Sequence, residues 1–292
     1  GYGVMLLWDV ILLYQYFPQG EKGAFLFLRW VDQFLPLAFT GLFINIGLFA
    51  HLVIMWVGPL QVQVQGLFVG APYHDVPALV AFLTILVTTV NFVVSVEVNF
   101  YPKYKNYYSL FNDKGAVGDI TQAGEEMLKV LNVELKYTAL KQLLATALAI
   151  SLGGLLLEYV PLGFNDLMEG YFRTLCVGYG IYAVANTILL LLLYFTDYKG
   201  ALVASGCFAG GTVLFTVISL FFPRVYYGFG FLTGSAVFFL IAAFRLDYYT
   251  KRLPYYILSV QPVVAREKRG KFSRLGFFLS KKLERSQNSE KI

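Results

Sequence analysis

Ionisable and amide side chains are scarce in the apolar stretches of this chain, so the few that occur there carry its chemistry. Asp9 lies midway along the first such stretch, His51 in the outer half of the second, and Glu97 at the inner end of the third. A charge at mid-bilayer costs at least about 2.5 kcal/mol, which makes each a candidate for handling an ion or a proton. A lone membrane histidine either relays a proton or hydrogen-bonds a neighbouring helix, and both readings stand for His51. Asn45, Asn91 and Asn186 add uncharged groups deep in three different stretches. They either line a hydrophilic path or hold helices together. These six residues are the transport-path candidates. Lys141 and Arg173 lie near the ends of their stretches and are long enough to reach the interface.

The parts of most enzymes are missing. There is no HExxH, GxxxxGK[ST], DxD or GxSxG, and two histidines, His51 and His74, cannot build a histidine-rich metal site. No catalytic residue, metal or other cofactor is expected. Glu158, Asp166 and Glu169 gather on one side, as a membrane-embedded transferase would require, but no histidine or metal motif accompanies them. Cys176 and Cys207 fall inside apolar stretches without a CxxC pair and read as small buried hydrophobes.

The elements that position these residues follow from composition. Of 292 residues, 58% are apolar, 17% aromatic and 14% charged, far greasier than a water-soluble domain. With about 20 apolar residues per crossing, seven helices are expected, at roughly 2–17, 34–57, 77–98, 138–158, 171–196, 200–222 and 229–249. The fold class is therefore an all-α polytopic membrane protein. The loops are too short for a soluble catalytic domain. The first candidate is short and starts at Gly1, which suits a chain cut inside a helix. The expected organisation is the end of a truncated helix at 1–17, a six-helix lobe at 18–250, and a basic tail at 251–292.

Charge supplies the topology. Residues 263–292 hold nine basic and three acidic residues, a net of +6, so the rest of the +5 chain sums to −1. Alternate loops hold nineteen Lys and Arg on one side against Arg224 alone on the other. Basic loops stay inside, so the basic side, including the C-terminal tail, is assigned to the cytoplasm. The basic pI belongs to the tail and does not point to nucleic acid.

Two segments read as amphipathic. In 99–137, Asp119 and Gln122 resemble a capping arrangement, and Met127, Val130, Leu131, Val133 and Leu135 form a mostly one-sided stripe. This reads as a helix on the inner membrane surface that continues into the span starting near Tyr137. In the tail, Phe272, Leu275, Leu279 and Leu283 are flanked by Lys271, Arg274, Lys281, Lys282 and Arg285, a pattern suited to anionic lipid.

Six segments, in order, resemble the Pel exopolysaccharide transporter family (PelG), a branch of the MATE-like multidrug/oligosaccharide/polysaccharide flippase superfamily. They are Pro36–Trp56, Gly70–Pro77, Val96–Tyr108, Leu189–Val203, Tyr226–Phe231 and Lys251–Tyr256, within a match over about 5–258. Where the family more often carries an adjacent acidic and basic pair, this chain has His51 and Leu52. The resemblance implies the second lobe of a two-lobed flippase that passes an amino-sugar-rich polysaccharide across the cytoplasmic membrane for biofilm matrix. It also implies a cytoplasmic glycosyltransferase and other inner-membrane Pel proteins as partners. On that footing Trp56, Tyr104 and Tyr107 are candidate sugar contacts, or else belt aromatics at the interface. A lipid-linked oligosaccharide flippase and a cation-coupled small-molecule antiporter, with His51 or Asp9 as proton site, are the alternatives in transport.

Overall fold

Long apolar runs with few interior breakers make nearly every described segment helical. The structure, a computed structural model, describes residues 2–16, 25–66, 68–112, 115–159, 163–260 and 270–289. It divides into two compact units, Phe39–Ser259 and, separately, Gly1–Ala38 with Val260–Ile292.

The smaller unit contains α1 (Tyr2–Tyr16), the start of α2 (Leu28–Val57) and α11 (Lys271–Ser289). Helix α2 bends at Phe34 (φ −110°, ψ 21°), two residues before Pro36, whose ring excludes a regular turn beneath it. The Asp32 carboxylate on α2 caps α11, accepting from Ser273 N and Ser273 Oγ, each at 2.7 Å, and from Phe272 N at 3.3 Å. The face α11 buries is Ser273, Gly276 and Ser280, while Phe272 and Leu275 point outward and Leu279 is half-buried. The small residues take this close seat, and the apolar positions Phe272 and Leu275 are left on the outer face. The side chains of Lys282, Leu283 and Arg285 lie outside the described residues.

The larger unit is built around α7 (Asp166–Tyr194), whose most apolar window is 78% buried, so its five-leucine run packs on protein rather than lipid. Asn165 caps it, accepting from Met168 N at 2.9 Å. Between α2 and α3 (Pro72–Phe82) lies an antiparallel hairpin of β1 (Val62–Gln65) and β2 (Phe68–Gly70), which the all-α expectation did not include. It turns at Gly66, whose positive φ of 60° suits glycine.

From α3 the helix runs on through a 3₁₀ turn (Leu83–Ile85), α4 (Leu86–Val94), a π turn (Ser95–Phe100) and α5 (Tyr101–Asn112). Helix α6 (Val117–Tyr159) is one 43-residue helix, joining the amphipathic segment to the following apolar stretch as expected. It begins two residues before Asp119, which therefore lies in the first turn and is no cap; Gln122 instead donates to Glu126 at 3.3 Å. Its inward stripe is Ala123, Met127 and Leu131, whereas Val133 is exposed.

Helices α8 (Tyr198–Ser219) and α9 (Phe229–Thr250) approach most closely. Gly230 and Gly234 on α9 meet the backbone of Thr216 and Thr212 on α8, a small-xxx-small contact of the kind that holds helices together where no water drives them. The turn from α7 to α8 is locked by charge. Buried Asp197 caps α8 through Gly200 N at 3.1 Å and takes Arg245 of α9 in two bonds, Nε at 2.6 Å and Nη2 at 2.9 Å. A short α10 (Leu253–Val260) follows, and its Tyr256 stacks on Tyr249 at 4.2 Å.

Among the described residues five helices are long and apolar enough to cross a membrane: Leu28–Val57, Pro72–Phe111, Asp166–Tyr194, Tyr198–Ser219 and Arg224–Thr250. Of the other two expected stretches, the first is a shorter apolar helix over Gly3–Leu13, and 138–158 lies within α6, whose side chains from 154 to 159 fall outside the described residues.

A Cβ on Gly234 would sit 2.8 Å from Thr212 Cα and N, backbone atoms that cannot turn aside. Gly234→Ala is therefore expected to separate α8 from α9 at a cost of about 1–3 kcal/mol. A lowered midpoint in thermal unfolding of the detergent-purified protein checks this, with Gly210→Ala, which meets nothing within 4 Å, unchanged.

Candidate functional site

Helices α4, the π turn and α5 present polar residues at steps of three or four: Thr88, Asn91, Ser95, Asn99 and Lys103. Each finds a partner on α6. Thr88 Oγ1 donates to Gln142 Oε1 at 2.6 Å, and Asn91 Nδ2 to Thr138 Oγ1 at 2.8 Å. Lys141 Nζ donates to Asn91 Oδ1. Ser95 Oγ donates to Glu134, whose other oxygen accepts from Asn99 Nδ2 at 2.8 Å. Lys103 closes the row on Glu126 at 2.9 Å and holds that carboxyl below the usual carboxylate range.

From Thr88 to Lys103 the row climbs about 22 Å, a large part of a bilayer's hydrocarbon thickness. Steps of four on an α-helix drift by about 40° each. The wider π turn over Ser95–Phe100 takes some of that drift back, keeping the row facing α6.

One edge of this seam is open. Lys141 and Asn99 are exposed, and Asn91 and Glu134 are half-buried. Toward its charged end the seam opens into a groove of about 660 Å³ lined by Asn99, Lys103, Glu126, Lys129 and Glu134. Thr88, Asn91 and Ser95 belong to the apolar stretch 77–98, and Thr138, Lys141 and Gln142 to 138–158. Lipid solvates the Lys141 ammonium and the Asn91 amide poorly at that depth, whereas Asn99, Lys103, Glu126 and Glu134 belong to the 99–137 segment beyond it. A second groove, about 400 Å³ and lined by Leu143, Val177, Ile181, Val184, Phe239 and Leu240 among others, is almost wholly apolar and suits acyl chains instead.

The structure brings together only part of the expected path. Asn91 is in the seam. Glu97, on the π turn, is exposed and accepts from Tyr194 OH at 3.2 Å, while Tyr104 donates to the Tyr194 carbonyl at 3.2 Å. Asn45 is exposed and donates to Gly41 O of its own helix, and Asn186 is half-buried on α7. Asp9 is exposed on α1, in the other unit. His51 is buried with His74, against Tyr179 and Phe231. Trp56 donates to Asp75 Oδ2 at 2.8 Å. Tyr107 is 2% exposed and lies over Gly124 on α6, so it offers no face to a sugar in this arrangement. Of the outer acidic group, Glu169 is paired with Arg173, and the Glu158 side chain lies outside the described residues.

Sequence reasoning passed over Ser95, Asn99, Glu134, Thr138 and Gln142. The one available signal was the spacing 88, 91, 95, 99, 103 set against polar positions 126, 134, 138 and 142 on the next helix. Lys141 read as a snorkelling lysine; it is instead turned onto Asn91.

The family model described as "PelG: Putative exopolysaccharide Exporter (EPS-E)" matches residues 1–258. The chain belongs to the PelG family. No curated protein and no solved structure matches it. PelG membership and the apolar helices make it a multi-pass membrane protein of polysaccharide export, and membership points to a transporter rather than an enzyme.

If the seam is wetted, cysteines placed at Asn91, Asn99 and Lys141 in a background without Cys176 and Cys207 react with membrane-impermeant maleimides. Cysteines at Val93 and Leu143, exposed on other faces of the same helices, do not. Gel-shift labelling of sealed and permeabilised cells measures both.

Proposed function

We propose that this PelG-family chain passes an amino-sugar-rich exopolysaccharide of the Pel type across the bacterial inner membrane, and that the α4–α6 seam lines part of its route. The polar row that starts within the apolar stretches at Asn91, Thr138 and Lys141 and runs on to Asn99 and Glu134 beyond them is the observation that supports the reading most. A polysaccharide presents hydroxyls along its whole length and needs a succession of donors and acceptors rather than one deep pocket. Glu134, Asn99 and Asn91 supply carboxylate and amide groups of that kind, one above another. Carboxylates also suit the ammonium of a deacetylated amino sugar, since hydrogen bonds between charged groups are the stronger ones. Lys141 is the one cation of the seam within the two apolar stretches, which favours a neutral or cationic cargo over a lipid diphosphate.

The basic side is placed in the cytoplasm, with the tail. On that side α5 presents Tyr101, Lys105 and Asn106 outward, and the 99–137 segment is our choice for docking a cytoplasmic glycosyltransferase beside other inner-membrane Pel proteins. The exposed Lys271, Arg274 and Lys281, with Phe272 and Leu275 between them, suit anionic lipid headgroups. The biological product would be biofilm matrix.

Glu134→Gln keeps the side chain's shape and removes its charge. Surface polysaccharide is expected to fall on the order of tenfold, the scale of one charge-assisted hydrogen bond. Immunoblotting shows equal protein in the membrane. Deleting the gene abolishes the surface polymer; a deletion strain with unchanged matrix would rule out export of it.

A further inference from the structure

The chain has two histidines, and the fold puts them against each other. His51 on α2 and His74 in the first turn of α3 are 1% and 0% exposed, with their rings edge to face at a centroid distance of 5.1 Å. The box around them is aromatic: Phe231 lies 4.5 Å from the His51 ring, and Tyr171 lies 5.6 Å from the His74 ring. Tyr179 OH meets His51 Nε2 at 3.3 Å. His51 Nδ1, both nitrogens of His74, and Oδ1 of the adjacent Asp75 have no hydrogen-bond partner among the described residues. The Leu48 carbonyl, one turn back on α2, lies near His51 without completing a bond.

Three nitrogens without a protein partner in an aromatic box are costly for packing alone, and phenylalanine would fill the same space without that cost. We propose that the His51–His74 pair is a proton-binding site whose occupancy decides whether α3 stays packed on α2 and α7. The neutral pair holds the packed arrangement. A proton passes from hydronium to a ring nitrogen lone pair: one O–H bond breaks, one N–H bond forms, and water and an imidazolium result.

That charge has no counter-ion ready. Phe39–Val57 of α2 carries no charged residue. On α7, Glu169 and Arg173 pair with each other at the exposed end, and Tyr171 gives its hydroxyl to the Arg224 carbonyl. On α9 the first charged residue is Arg245, which is bound to Asp197. His74 also sits at a helix N-terminus, whose partial positive charge opposes a cation. The one carboxylate within reach is Asp75, whose Oδ2 is held by Trp56 Nε1 at 2.8 Å and Ala71 N at 2.9 Å. Turning Asp75 toward an imidazolium breaks the bonds that fix the start of α3. Protonation thus loosens α3 from its neighbours, and re-packing expels the proton. A proton gradient across the membrane could drive that cycle in one direction, whatever the cargo.

Because only two histidines exist, ¹⁵N-histidine labelling of the full chain, freed of any histidine tag, reports on this pair without a substitution. Trp56 gives a second readout after Trp8→Phe and Trp30→Phe, which leave it as the chain's one tryptophan. As the pH is lowered from 8 to below 4, one ring should take up a proton, with a reversible change in Trp56 emission over the same range. His51→Phe with His74→Phe should abolish the emission change, and Asp75→Asn should separate the two readouts, leaving ring protonation without the Trp56 response. Neither ring taking a proton would overturn the proposal. So would an unchanged Trp56 transition in the double phenylalanine variant, which would assign the titration to Asp75 itself. Both tests run on purified protein, so they can fail or succeed independently of polysaccharide export.

Discussion

Each polar group carried into hydrocarbon must be met by another polar group or by water, and this requirement organises the larger unit. Along α4 to α6 it is met by hydrogen bonds between side chains 35 to 54 residues apart in sequence. At the α7–α8 turn it is met by the bidentate Asp197–Arg245 pair. At the buried histidines it is only half met. Where the account closes fully, as at Thr88 with Gln142, the contact reads as glue between helices. At Lys141 and Asn99 the side chains bond across the seam and are also exposed.

The same requirement separates the rigid parts from the adaptable ones. Helices α7, α8 and α9 pack through Gly230, Gly234 and large aromatic rings, with Phe208 and Phe238 stacked at 4.8 Å. Side chains there have little room, so these three helices behave as a block. The continuous helix from Pro72 carries a 3₁₀ turn and a π turn on either side of α4. Such irregular turns are where a long helix changes its hydrogen bonding most easily. The seam thus lies on the part of the unit best able to change register, against a block that does not.

Much of the fold was legible in sequence, because apolar runs and loop charge are local signals. The leucine run marked α7, and the expected junction of an amphipathic segment with a span near Tyr137 is the single helix α6. Asn91 and Glu97 stood out as rare polar residues in apolar surroundings. Ser95, Thr138 and Gln142 did not, since small or uncharged residues are common on helices, and only their partners make them a row. Asp197 and Arg245 were missed for the same reason: 48 residues separate them, and each alone looks like a helix-end charge. In the tail the apolar spacing was plain, but the inward face was not: the close seat on Asp32 and Phe25 suits small residues, so Ser273 and Gly276 face inward.

The central claim is that the seam touches the polymer. Its most direct test places a photo-crosslinking amino acid at Asn99 or Lys141, and at Leu143 as control, in cells producing the polysaccharide. Illumination should give a slow-migrating adduct at Asn99 and Lys141 that collapses on treatment with a glycosidase specific for the polymer, and none at Leu143. Adducts at all three positions that resist glycosidase and contain only lipid would contradict the account.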